Sequence, residues 1–132
     1  ELISRAKTSS DVIILPHIGA STSQAEENCS VMAAEQLDDF LNNGNIKNSV
    51  NFPELIEPRP SEFRITLSNK NHSGMIGKIT TVLAENKLNI IDMVNKSRGE
   101  IAYNVIDLET KPPEKVLQEL SSLDDVIHVR EV

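Results

Sequence analysis

Between Asn69 and Gly74 the chain carries Asn69, Asn71, His72, Ser73 and Gly74, many hydrogen-bonding groups and almost no apolar bulk. On their N-terminal side the pattern alternates, with Phe63, Ile65 and Leu67 against Arg64, Thr66 and Ser68, which is the period of a half-buried strand. On their C-terminal side apolar residues repeat at three and four positions, with Met75, Ile76, Ile79, Val82 and Leu83 on one face of a helix. A loop that enters a helix there has free backbone N–H groups and a positive dipole end, suited to a small anion or a carboxylate. The same asparagines and glycine are also ordinary turn residues. A second chemical stretch is Pro16-His-Ile-Gly-Ala-Ser-Thr22. It comes after Asp11–Leu15, a short apolar run that reads as a buried parallel strand, and open α/β sheets place their chemistry at that end of a strand.

The remaining elements must position these two stretches. Ser21 with Gln24 forms a capping-box pattern and predicts a helix from about Ser23 to Asn42, closed by Gly44. Its apolar stripe is Ala25, Cys29, Met32, Ala33, Leu37, Phe40 and Leu41. Ile46, Val50 and Phe52 are the only apolar anchors of an extended segment that must lean on something else. Residues 53–62 hold three prolines and read as a linker. Beyond the helix that starts at Met75, the pattern predicts a strand at Asn89–Lys96, a turn at Ser97–Glu100 and a strand at Ile101–Glu109. Pro112 and Pro113 then open a helix, and Asp125–Glu131 ends the chain as a strand. The order β-α-β-β-α-β is the ferredoxin-like arrangement. The expected fold class is therefore α+β, with a strand-helix fragment of a parallel α/β domain at residues 1–52, a linker at 53–62 and the ferredoxin-like unit at 63–132.

Composition bounds what such a chain can do. Its 132 residues carry a formal charge of -7, which argues against nonspecific binding to nucleic acid or an anionic membrane. One cysteine, Cys29, permits no internal disulfide and fits a reducing compartment such as the cytoplasm. No apolar run approaches the roughly 20 residues of a membrane span. His72 and His128 are expected at the surface, and neither has Cys29 or carboxylates at metal-ligand spacing. The five glycines make no G-x-G-x-x-G, so no cofactor is expected on these residues themselves. The opening Glu1-Leu-Ile-Ser, without Met, looks like a cut from something longer.

Strand-loop-helix-strand with Asn-x-Asn-x-x-Gly in the loop and Asn89-Ile90 at the second strand resembles an ACT domain, the amino-acid-sensing module of metabolic enzymes. Pro16–Thr22 is similar to the catalytic-histidine motif of the D-2-hydroxyacid dehydrogenase family, and Val50-Asn-Phe-Pro53 to the segment that returns to their substrate domain. Together the motifs, which span nearly the whole chain, resemble the C-terminal part of the ACT-bearing members of that family, the ones that open serine synthesis. The resemblance implies that His17 is the general acid/base of an NAD-dependent parent, trading a proton with the substrate hydroxyl as hydride moves to NAD. It further implies an effector site, for L-serine or another small amino acid, at Asn69, Asn71, Ser73, Gly74 and Asn89. Asparagine offers a donor and an acceptor to an amino acid's two charged groups, and Gly74 lets a ligand approach the helix. The sequence departs from the family at Ser73-Gly74, where Pro-Gly is usual, and at Asn69, where the inhibited enzymes carry a histidine. A noncatalytic amino-acid-binding or dimerisation module is the alternative reading, and it leaves Pro16–Thr22 unexplained.

Topology adds one expectation. Asn71 comes just after the first strand and Asn89 just before the second, parallel one, so they fall at opposite ends of the sheet. One small amino acid cannot bridge them within a chain. Two copies joined about a two-fold axis at the second strand's edge would bring Asn71 of one to Asn89 of the other.

Overall fold

A computed structural model describes residues 2–9, 11–15 and 18–132. The chain divides into two compact units, Glu1–Glu35 and Gln36–Val132. In the first, α1 (Leu2–Ala6) is a single short helix and Asp11–Leu15 forms no strand. A continuous apolar run becomes a strand only beside other strands, and the described residues of this unit contain none. Ile13 accordingly lies 80% exposed. Helix α2 (Ser23–Asn43) is capped one residue later than the capping-box pattern implies: the Ala25 amide donates to Thr22 Oγ1 at 3.1 Å, so Thr22 rather than Ser21 is the cap. No residue of α2 is fully buried, and Val31, Met32, Leu37 and Leu41 along it are exposed.

The second unit holds β1 (Phe63–Lys70), α3 (Met75–Glu85), β2 (Ile90–Arg98), β3 (Ile101–Leu108), α4 (Glu114–Ser122) and β4 (Val126–Glu131). The four strands form one antiparallel sheet in the order β2-β3-β1-β4, the ferredoxin-like arrangement read from the sequence. Ile65 and Leu67 of β1, with Ile106 and Leu108 of β3, meet Ile79 and Leu83 of α3 and Val116 and Leu120 of α4 in one core. Each such side chain contributes about 1.5–3 kcal/mol by leaving water. Gly74 starts α3 in the left-handed conformation, φ 89°, and Gly99 takes φ 59° in the β2–β3 turn.

The alternation in β1 predicts an outward, half-buried face, but both faces of this strand are covered. A second cluster of Ile46, Leu55, Tyr103 and Val105, with Phe40, Phe52 and Val94 against it, packs on the far side from α3 and α4. The Pro-rich stretch contributes here, since Leu55 is fully buried and pairs its backbone with Ile46. Phe52 meets Tyr103 edge-to-face at 5.9 Å, whereas Val50, read as a third anchor, is 83% exposed. The outward polar side chains of β1 find partners beneath this cover. Arg64, 0% exposed, forms a forked pair with Asp107 at 2.9 and 2.8 Å and donates to the carbonyls of Asn43 and Pro58. Arg59 donates to the Asn42 carbonyl and Arg130 to that of Phe40, which also accepts from the Gly44 amide, so three guanidinium groups bond the C-terminal carbonyls of α2.

Candidate functional site

The loop after β1 is held from two directions. The Asn71 amide donates to the Glu100 carbonyl at 2.8 Å, and Asn71 Nδ2 to the Gly99 carbonyl at 3.0 Å, which ties it to the β2–β3 turn. That leaves Asn71 Oδ1 as an acceptor on an exposed side chain. On the other side, His72 Nε2 meets Asp125 Oδ2 at 2.8 Å while Lys70 Nζ meets Asp125 Oδ1 at 2.9 Å. Ser73 and Gly74 are exposed, nothing lies within 4 Å of where a Cβ of Gly74 would stand, and no side chain caps α3. The free N–H groups at the start of that helix therefore face an open loop.

Asn69 occupies a different setting. It is 2% exposed, its Oδ1 accepts from Asn104 Nδ2 at 2.8 Å and its Nδ2 donates to the Lys70 carbonyl at 2.6 Å. Asn104 also accepts from Asn95 Nδ2 at 2.6 Å, so a row of amides crosses from β1 through β3 to the edge strand β2. Nothing local in the sequence points to Asn95 and Asn104; their pairing becomes visible only once the strand register is known. Asn89 stands at the far end of the sheet, where its Nδ2 donates to Glu109 Oε2 at 3.1 Å and its carbonyl accepts from the Glu109 amide. Glu109 is the further residue of that corner. Asn71 bonds Glu100, just before the 8-residue strand β3, and Asn89 bonds Glu109, just after it, so the two stand roughly 30 Å apart at about 3.3 Å per residue. The structure thus gathers Asn71, Ser73 and Gly74 at one end and leaves Asn89 at the other. His17, with Pro16, lies outside the described residues. Among those described, no cluster of three or more His, Cys, Asp or Glu groups could hold a metal ion.

The Asp125 contact raises the His72 pKa above its usual 6.5, helped by the Ser73 carbonyl, and Lys70 and then His72 hold the Asp125 carboxyl below its usual range. The signs set a window. The His72 contribution to stability is fully present below pH about 6.5 and fades as pH rises through the raised value. The Asp125 contribution is present above its ordinary pKa and fades as pH falls through the lowered one. The loop should therefore be best anchored in mildly acidic solution. An NMR titration of the His72 ring should give a midpoint above 6.5 that Asp125→Asn brings back down. An unmoved midpoint in that variant would remove the pair from the account.

Residues 63–125 match the ACT domain family, and the β-α-β-β-α-β unit described above is an ACT domain. The chain is 33% identical, over 98% of its length, to a D-3-phosphoglycerate dehydrogenase of Haemophilus influenzae, and 31% identical over 91% of its length to that of Escherichia coli K12. It spans 32% and 30% of those two relatives, about a third of each. Among solved structures, the ACT domain from GTP pyrophosphokinase of Chlorobium tepidum aligns with 53% of this chain and 95% of its own, at 19% identity and a TM-score of 0.47. No helix among the described residues is long and apolar enough to cross a membrane.

Proposed function

We propose that this chain is the regulatory part of an NAD-dependent D-3-phosphoglycerate dehydrogenase of the cytoplasm, and that its ACT domain binds a small amino acid, L-serine, at sites shared between two copies. In that enzyme His17 is the general acid/base, and NAD belongs to parts of the parent beyond these residues, whose isolated glycines offer no dinucleotide turn. The observation that carries the effector reading is the separation of Asn71 from Asn89 along a sheet whose outer strand, β2, is an unpaired edge. Two copies joined antiparallel along β2 bring the Arg98 end of one strand to the Ile90 end of the other. Each Asn71 then meets an Asn89, giving two equivalent sites per dimer. The ligand's carboxylate faces the free N–H groups at the start of α3, and its ammonium the Asn71 and Asn89 oxygens together with the Glu109 carboxylate.

The test uses Asn71→Ala and Asn89→Ala as separate variants, each expected to abolish calorimetric serine binding. Mixed as heterodimers, they should recover one intact site for every two chains. Mixing that restores no binding would dismiss the shared site. Wild-type chain that binds none of the twenty amino acids would dismiss the effector reading altogether.

A further inference from the structure

On the sheet face away from α3 and α4, the second unit has a half-open cavity of about 570 Å³ that the proposed effector site does not use. Its size falls within the range of small-molecule sites. Leu37 and Phe40 of α2 form one wall, and Ile46 and Phe52 of the following segment another. The floor is set by strand register, which places Thr66 opposite Arg130 and Ser68 opposite His128. Ser68, 6% exposed, also lines the cavity and adds a hydroxyl to its floor.

The charge around the cavity is one-sided. Arg130, His128 and Lys47 line it and no described lining residue is acidic, in a chain with 20 acidic and 13 basic residues. The Arg130 guanidinium is stacked over Phe40 at 4.4 Å to the ring centre and held by the Phe40 carbonyl, so its position is fixed in advance of any ligand. An amino acid is ill suited to this setting. Its ammonium would sit beside Arg130 and Lys47 with no carboxylate among the described lining residues to receive it. We propose that the cavity binds an apolar monocarboxylate without an amino group, its hydrocarbon body against Leu37, Phe40, Ile46 and Phe52 and its carboxylate toward Arg130, Lys47 and the Ser68 hydroxyl. This is a second small-molecule site, separate from the Asn71 loop and independent of whether that loop binds serine.

Octanoate is the probe, with octan-1-ol and 2-aminooctanoate as matched bodies that lack the charge or add the ammonium. Titrated into the isotope-labelled chain, octanoate should shift the backbone amides of Ile46, Thr66 and Ser68 and raise Tm, with both analogues binding more weakly. Leu37→Trp, at a position 57% exposed and so tolerant of change, should fill the cavity and abolish those shifts. Lys47→Gln with His128→Gln, both exposed positions, should weaken octanoate by about fivefold while leaving octan-1-ol unchanged. No shift at about 10 mM octanoate, shifts that persist in a folded Leu37→Trp variant, or equal binding of all three compounds would each overturn the proposal.

Discussion

Asp107→Ala is expected to destabilise the ACT unit by about 3–5 kcal/mol, the scale of stranding one member of a buried ion pair. The carboxylate it removes takes two hydrogen bonds from Arg64, a guanidinium with no solvent contact. The carbonyls of Asn43 and Pro58 would remain as its only partners, and neither offsets a full charge. The loss should spread to the segment those carbonyls belong to. Urea denaturation gives the magnitude, and amide exchange at residues 43–58 shows the spread. Replacing both partners, as Arg64→Met with Asp107→Leu, should recover much of the loss, because an apolar pair needs no counter-charge. A single-variant cost below about 1 kcal/mol would mean that water reaches the pair.

The second large effect is at Gly44, where α2 turns back onto the sheet. Its φ of +73° favours glycine, and an added Cβ would stand 2.2 Å from Thr66 Cγ2. The Gly44 carbonyl accepts from the buried Tyr103 hydroxyl at 2.8 Å, so the turn cannot drift away without losing that bond. Gly44→Ala should therefore cost about 3 kcal/mol, roughly 1–2 for the left-handed backbone and the rest for overpacking. Gly99→Ala shares the positive φ and has nothing within 4 Å, so it should show the backbone part alone. Thr66→Ser removes the clashing methyl, and in combination it should bring Gly44→Ala down to the Gly99→Ala value. Equal costs for the two glycine variants without that change would show the clash to be absorbed by a small shift.

The order of elements from β1 to β4 was legible because each announces itself locally. Met75, Ile79 and Leu83 mark a helix face, the paired prolines mark the start of α4, and Gly99 marks a hairpin turn. The edge position of β2, and with it the separation of Asn71 from Asn89, comes from topology that a β-α-β-β-α-β order already implies. What lies across the sheet was not legible. Arg64, Thr66 and Ser68 look like a solvent face, since polar residues at alternate positions give no sign that a distant segment will cover them. The Asp11–Leu15 run misled in the opposite sense: its composition is that of a buried strand, but a ladder needs a neighbour that local sequence does not supply. Asn69 belongs to the same lesson. As a residue type it suits a ligand, while its register beside Asn104 turns it toward the sheet's own amides.

Double cover of the central strands limits how copies of this domain could meet. With α3 and α4 on one side of the sheet and residues 40–55 on the other, β1 and β3 are covered on both faces, whereas the edge strand β2 stays largely exposed. An association along β2 is then a seam nine residues long, stitched by main-chain hydrogen bonds and poor in apolar area. Such a seam closes only weakly by itself. A molecule that fastens both of its ends changes the balance between joined and separate copies far more than it would in a broad interface that is already shut.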